Sequence, residues 1–494
     1  MDIKNLFDIA KIFIPLFVVI DPIGSMVLFV SMTSSYSELE KREATKDAFV
    51  YGLIIMILFT LGGSILLELM GISISAIQIA GGIILLIMGI EMVREGDRPK
   101  STGKTYKNPD LGIDGYIGWP LALRLIARGH EVSGADSFFT RERVMEVNSD
   151  SITPIGSMED RLQKLHQLWN KKIEFYKGDV SDPEFVYDII RKIKPDAIVH
   201  LAEQRSAPYS MLGLKQATDT LTKNMIGTLN LVYAMKDIIP ESHLLKLGTM
   251  GEYGTPNIDI PEGFFEVEYR GRKDFLPFPK FAGSWYHWSK VHDTNNLMFA
   301  NKLWNLKITD VMQGVVYGTR TKEIEETGLF TRFDIDEVWG TALNRFCTQA
   351  VLEEPITPYG KGLQRRGFLS LEDSISCLTI GLEKPPVNGE YRVFNQFDEH
   401  YSVNELAEIT ASTARSLLHK SGKIEHVANP RVEKEEHYYN PEHSKLKALG
   451  YQRTRALKEE IILMLKDIEK FKAKADSLKD VIKPKTVWKN SPGL

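Results

Sequence analysis

Leu111-Gly112-Ile113-Asp114-Gly115-Tyr116-Ile117-Gly118 runs directly into the apolar-periodic residues 121–127. Glycines three apart at the mouth of a helix leave backbone N–H groups and the helix dipole facing one point, where a pyrophosphate can sit. Glycine spacing alone arises often by chance, and the residues that follow give it weight. Glu131-Val-Ser-Gly-Ala-Asp136 reads as a short strand ending in a carboxylate, at the separation expected for an acid that binds an adenosine ribose. That favours NAD over NADP, although Arg141 and Arg143 stand close behind as either phosphate ligands or ordinary solvated charge. Two apolar runs, 173–176 before Gly178-Asp179-Val180 and 197–202, are separated by a helical pattern over 183–193. This alternation is the rhythm of a parallel sheet. The chain is therefore α/β, with a Rossmann-type doubly wound sheet. Ligands gather at the carboxyl ends of such strands, which puts Asp179 near an adenine and His200, Leu201 and Ala202 along the cofactor. His200 can equally be a buried, satisfied core histidine.

A further strand over 244–247 delivers Gly248-Thr249-Met-Gly-Glu252-Tyr-Gly254 to the same edge, and Tyr286-His-Trp-Ser-Lys290 follows. A tyrosine and a lysine one helical turn apart share a face, and a cation beside a phenol favours the phenolate, which makes a base for a sugar hydroxyl near neutral pH. Thr249 can hydrogen-bond the reacting hydroxyl. Glu252, Ser284 and His287 are the further proton donors and acceptors nearby, with surface exposure the other reading of Glu252.

Composition is uneven along the 494 residues. The net charge is -4, which argues against a nucleic-acid partner, and the two cysteines, Cys347 and Cys377, have no metal-ligand spacing around them and suggest a reducing compartment. Residues 6–32, 48–70 and 72–93 are apolar runs long enough for a bilayer that takes about 20 residues per helix. Lys41, Arg42 and Lys46 follow the first run, and Arg94, Arg98, Lys100 and Lys104 follow the third. The excess of basic residues puts everything after residue 93 in the cytoplasm. Asp21-Pro22 falls inside the first run, where it marks either an ion path or a kinked helix whose acid pairs with a neighbour.

The soluble part resembles the UDP-sulfoquinovose synthase family, a branch of the extended short-chain dehydrogenase/reductases and NAD-dependent epimerase/dehydratases. The likeness lies in Asp114-Gly-Tyr-Ile-Gly-Trp-Pro120, Ala202-Glu-Gln-Arg-Ser-Ala-Pro-Tyr209, Leu247-Gly-Thr-Met-Gly-Glu-Tyr-Gly-Thr-Pro256, Gln313-Gly-Val-Val-Tyr-Gly318, Gly360-Lys-Gly-Leu-Gln-Arg-Arg-Gly-Phe368 and Asn429-Pro-Arg-Val-Glu-Lys-Glu-Glu-His-Tyr-Tyr-Asn440. The resemblance implies conversion of UDP-glucose and sulfite to UDP-6-sulfoquinovose through 4-keto and 4-keto-5,6-ene sugars, with NAD recycled in the site. It implies that Tyr286, Lys290 and Thr249 work at C4, and that Glu252 and His287 take the elimination, because Met250-Gly251 replaces the acidic pair that follows the threonine in ordinary dehydratases. NAD would lie along Gly112, Gly115, Tyr116, Ile117, Gly118, Asp136, Asp179, Val180, Leu201, Ala202, Asn224, Tyr286 and Lys290. The UDP-sugar would meet Arg205, Thr249, Gln313, Arg365 or Arg366, and Arg431, mainly from a smaller C-terminal part over 313–450, and no metal is implied. A homodimer is expected from the family alone. Residues 1–95 resemble the N-terminal half of the MarC-like membrane proteins through Val19-Ile-Asp-Pro-Ile-Gly24 and Ile77-Gln-Ile-Ala-Gly-Gly-Ile83, with three spans where the family has six and Ser25 where it has asparagine.

Both resemblances break off near the same place. A dinucleotide fold opens on an apolar central strand, yet Thr105-Tyr-Lys-Asn-Pro-Asp110 carries a proline and three polar side chains that a strand buried on both faces rejects. The expectation is a three-helix all-α membrane segment over 1–95, a junction over 96–110, and the NAD-binding domain over 111–494 with weakened NAD binding. Two alternatives remain: a plain UDP-glucose epimerase or dehydratase, and a MarC-type membrane protein carrying an inactive passenger. If the N-terminal part is an artefact of fusion, the enzyme is simply cytoplasmic.

Overall fold

The sheet is assembled around Leu111. Its carbonyl accepts from Leu201 N–H at 2.7 Å, and the next residue, Gly112, donates to Ala135 O at 3.1 Å. Leu111 thereby bridges in parallel to Ala135 on one side and His200 on the other. On the first flank β1 (Ser133–Asp136) pairs with β2 (Glu174–Lys177). On the second, β3 (Ala197–His200), β4 (His243–Thr249), β5 (Lys307–Gln313) and β6 (Tyr391–Gln396) follow in order, all parallel. The whole order is β2-β1-Leu111-β3-β4-β5-β6, the arrangement of a doubly wound fold. Among the described residues the central strand is one residue long.

The computed structural model describes residues 111–485, 487 and 488, with residue 388 excepted, and towards the N-terminus only Arg42, Thr45, Lys46, Phe49, Val50, Gly52 and Leu53, all helical. The chain divides into two compact units, Met1–Gly103 and Lys104–Leu494. Apart from Phe49, Val50, Gly52 and Leu53 in the second of them, the three expected membrane spans lie outside the described residues, as do Asp21-Pro22 and the stretch 105–110. Among the described residues no helix is long and apolar enough to cross a membrane.

Helices cover both faces of the sheet because its apolar residues alternate. Leu244 and Ile308 join one buried cluster, while Leu245 and Val311 join another on the opposite face. The first cluster takes Phe185, Val186, Ile189 and Ile190 from α2 (Pro183–Ile193), Leu231 and Met235 from α3 (Gly227–Ile238), and Leu297 and Ala300 from α4 (Trp285–Trp304). The second takes Trp119, Leu123 and Ile126 from α1 (Gly118–Ala127) and the core of the C-terminal half, including α5 (Leu457–Lys470). The start of α2 follows from its sequence. Asp182 accepts from Glu184 N–H at 3.0 Å, and Pro183 fills a position whose N–H would have no partner. Beyond β5 a separate three-stranded sheet joins Val315–Tyr317 and Glu399–Ser402 to the central Arg365–Ser370. A two-stranded hairpin, Phe264–Tyr269 with Arg272–Pro277, stands alone. Both cysteines are buried and unpaired.

Candidate active site

The glycine turn after Leu111 is a tight cradle. Gly112 has φ +109, and a Cβ there would lie 2.7 Å from Leu201 O; a Cβ on Gly118 would lie 2.2 Å from Gly112 O. Only bare backbone fits, as close approach of a pyrophosphate demands. With Gly115, Tyr116 and Ile117, this turn lines a cavity of about 1010 Å³ at the carboxyl edge of the sheet. Tyr116 is held by its hydroxyl, which donates to Gly318 O at 2.6 Å.

A second, smaller cavity of about 70 Å³ adjoins the turn and collects Asp136, Asp179, Val180 and Ala202. Asp136 closes β1 as expected, accepting from Asp114 N–H at 3.0 Å and Phe138 N–H at 2.7 Å. Burial and the neighbouring Asp114 push its carboxyl up to about 6. Arg141 is committed to Asp114 and to Gly156 O, and Arg143 pairs with Glu146, so both arginines are engaged within the protein. Burial raises the Asp179 carboxyl, but Lys223 and the Ser181 hydroxyl more than offset it and hold it below the usual range. These features fit the adenosine half of a dinucleotide. His200 is fully buried with Nε2 3.1 Å from Thr228 Oγ1, and burial, with Lys290 and Lys246 nearby, keeps it neutral.

Tyr286 and Lys290 fall on the first two turns of α4, which starts where Ser284 Oγ accepts His287 N–H at 3.2 Å. Both line the large cavity with Thr249, whose hydroxyl bonds the phenol. Lys290 faces the Tyr286 ring, but its ammonium makes its direct polar contacts elsewhere. Lys290 Nζ donates to Leu247 O at 2.6 Å, pairs with Glu203, and lies 5.9 Å from the centre of the Tyr286 ring. Burial and Glu252 raise the phenol, and Lys246, Arg205 and Thr249 only partly offset them. In this arrangement Tyr286 is a protonated phenol at neutral pH.

Glu252 is a correction. It is fully buried and absent from both cavity walls, accepting from Thr249 N–H at 3.1 Å and Thr294 Oγ1 at 2.9 Å and pairing with Lys280. It caps the 3₁₀ turn that carries Thr249 and balances buried lysines, so it has no access to a sugar. Asn224 is a second correction. Its side chain accepts from Gln204 N–H at 2.7 Å and donates to Ser289 Oγ at 2.8 Å, tying a π-helical turn to α4 outside both cavities. Arg365 also lies off the cavity, on Glu405, whereas Arg366 lines it and pairs with Glu433. The spacing of two adjacent arginines on one strand, pointing to opposite faces, settles which of them reaches the interior.

His287 lines the cavity with its Nδ1 2.9 Å from Ser284 Oγ. Burial, helped by Arg431 and Arg366, lowers its pKa to about 3, so the ring is neutral. It packs on Gly251, where a Cβ would lie 2.4 Å from the ring. Gln313 donates to Ser374 Oγ and Gln396 Oε1, both at 2.9 Å. Arg205 is anchored on Asp334 and on Trp339 O at 3.1 Å, and Arg431 lies 5.4 Å from the Trp488 ring. Charged and aromatic cavity residues that the sequence did not point to include Glu203, Arg345, Glu433 and Trp488. Glu203 and Glu433 sit inside motif strings quoted above and were legible there as charges beside arginines. Arg345 and Trp488 carry no local signal.

Comparison with known proteins matches residues 111–395 to the model of the NAD dependent epimerase/dehydratase family and residues 6–132 to that of the MarC family integral membrane proteins. The UDP-sulfoquinovose synthase of Sulfolobus acidocaldarius is 51% identical over 380 residues, 77% of this chain and 96% of that protein. The chloroplastic UDP-sulfoquinovose synthase of Spinacia oleracea is 48% identical over 69% of this chain and 70% of its own length. A UPF0056 membrane protein of Methanocaldococcus jannaschii is 35% identical over 115 residues, 23% of this chain and 56% of that protein, so the chain spans about half of it. Among solved structures, a UDP-glucose 4-epimerase of Thermotoga maritima with UDP-glucose superimposes with a TM-score of 0.54 at 19% identity, covering 73% of this chain and 97% of that one.

Proposed function

We propose, since this chain belongs to the NAD dependent epimerase/dehydratase family, that it makes UDP-6-sulfoquinovose from UDP-glucose and sulfite in an NAD-dependent cycle. One observation carries the reading: Thr249, Tyr286 and His287 share a single cavity with the bare glycine turn and with Arg366 and Arg431. NAD, when bound, supplies a hydride acceptor for C4 and returns the hydride, so no external reductant is consumed. Gly112, Gly115 and Gly118 would hold its pyrophosphate and Asp136 its adenosine ribose.

The chain's own groups handle the protons. Tyr286, bonded to Thr249, takes the C4 hydroxyl proton. Its phenol lies high without ligands, and the site must acquire positive charge, from the cofactor ring and from Lys290, before the phenolate forms. A ketone at C4 acidifies the C5 proton. His287, neutral and facing the cavity, then takes the C5 proton and passes it to the C6 hydroxyl, which leaves as water; Glu252 is buried off the cavity wall. Sulfite adds at C6, whether free or delivered by a protein donor. Arg366 and Arg431, with Arg205 and Gln313, would hold the UDP-sugar, since a guanidinium can bind two diphosphate oxygens at once.

Membrane attachment through the MarC-like residues, with the enzymatic part in the cytoplasm, is supported by the basic residues that follow the first and third apolar runs. A homodimer is supported by the exposed Leu229 and Tyr233 on α3 and Phe299 and Leu303 on α4. Incubation with UDP-glucose, sulfite and NAD tests the reaction: a sulfonated nucleotide sugar should be found by mass. Sugar conversion that needs no sulfite would instead identify an epimerase or dehydratase, and no conversion by protein that binds NAD would identify a passenger.

A further inference from the structure

Lys290 is held from below by a group that sequence reading passed over. Its ammonium donates to Leu247 O at the end of β4 and pairs with Glu203 in the turn after β3, and the two side chains are only 5% and 2% exposed. Among the described residues Glu203 pairs with no second lysine or arginine. His200 Nε2 stands 4.0 Å away, but that ring is neutral, and no hydrogen-bond donor of the described residues satisfies either carboxylate oxygen otherwise. Two buried charges that meet only each other persist because each makes the other tolerable.

We propose that Glu203 is a positioning residue that keeps Lys290 charged and anchored on Leu247, and this rests on the reading of Tyr286 and Lys290 as the working pair. Every other charged group around them acts from further off. Asp293 on α4 and Asp310 on β5 raise the ammonium, against burial that draws it down to about 8. Lys246 on β4, Glu252 beyond it and Arg205 beyond β3 act on the phenol, and the neutral His287 ring lies 4.9 Å from the tyrosine ring. None of these carboxylates reaches ion-pair distance of Lys290 among the described residues, whereas Glu203 does. Without it a buried amine loses its contact counterion and sheds its proton at lower pH. The catalytic window then closes from the alkaline side.

Glu203→Gln keeps the size of the side chain and removes its charge. Lys290, followed by NMR of carbon-labelled lysine in the full-length protein, should titrate about one to three units lower, the effect of losing an opposite charge in contact. The alkaline limb of kcat/KM against pH should move down with it, giving at pH 8 a loss of about fivefold for a one-unit shift and about fiftyfold for two, and a smaller loss at pH 6. Glu203→Asp, which retains the charge on a shorter arm, should recover part of both shifts. An unmoved Lys290 titration in Glu203→Gln, even with activity lost, overturns the proposal. If Glu203→Gln does not fold, Glu203→Ala, which also removes the charge, takes its place, and an unmoved Lys290 titration there overturns the proposal. A shifted titration in protein that makes no sulfonated sugar would leave the positioning role intact and defeat the functional reading instead.

Discussion

Burial raises the pKa of both Tyr286 and Asp136, with different consequences for each. The phenol starts near 10, and burial beside Glu252 drives it higher, so its use as a base depends on charge that arrives with the ligands. Tyr286→Phe should therefore lower formation of the sulfonated sugar by about 10²–10⁴-fold, the usual contribution of a placed acid–base group, with the melting temperature unchanged or slightly raised. An unaltered rate of product formation would remove the tyrosine from the mechanism. Asp136 lies in the working range. Raised to about 6 by burial and Asp114, it is ionised above that pH and protonated below it, and only the ionised form offers all its acceptors to ribose hydroxyls. NAD affinity should thus be flat above about pH 7 and fall by up to tenfold per unit as pH drops below 6. Asp136→Asn should bind weakly with no such slope, measured by calorimetric or fluorescence titration across pH.

The elements that position these residues differ in how plainly the sequence announces them. The helix over 183–193 was readable to the residue, because Asp182-Pro183 starts it and Phe185, Val186, Ile189 and Ile190 repeat at helical spacing. Strands β1 to β4 were readable within two residues, since each is a short apolar run between turn residues. The hairpin of Phe264–Tyr269 and Arg272–Pro277 was not, because its strands pair only with each other and the second is exposed throughout, leaving no alternation to detect. The site shows the same division. Glycines and Tyr286 announce themselves locally, while the burial of Glu252 and the meeting of Glu203 with Lys290 depend on how distant segments cross. The entrance to α1 can be tested directly. Gly118→Ala would set a Cβ 2.2 Å from Gly112 O, which is backbone and cannot step aside. This change should destabilise the protein by about 1–3 kcal/mol and abolish NAD binding, whereas Asp182→Ala, which removes only a helix cap, should cost about 1 kcal/mol and leave NAD affinity alone. Equal behaviour of the two variants in NAD titration would mean that the glycine turn does not hold the cofactor.

The two flanks of the sheet carry different parts of the site, with Asp136 at the end of β1 and Thr249 at the end of β4. A dinucleotide must span both. Among the described residues they are joined within the sheet at Leu111, through one hydrogen bond from Leu201 N–H to Leu111 O on one side and one from Gly112 N–H to Ala135 O on the other. A full central strand would supply several such bonds on either side and an apolar side chain to each core, fixing the distance between the flanks before the ligand binds. If residues 105–110 do not extend that strand, as their sequence leads one to expect, binding must spend part of its own free energy on that alignment, which lowers affinity without removing any contact. The sequence carries that expectation: Pro109 cannot donate to a ladder, and Lys107, Asn108 and Asp110 would meet apolar surroundings on both faces. Replacing residues 105–110 of the full chain by an apolar, β-branched run should tighten NAD binding by about tenfold, equivalent to about 1.4 kcal/mol, and should raise the melting temperature in the same variant. Titration of both proteins with NAD under one condition decides the matter. Equal dissociation constants would mean that helices α1 to α4 hold the flanks in register without such a strand.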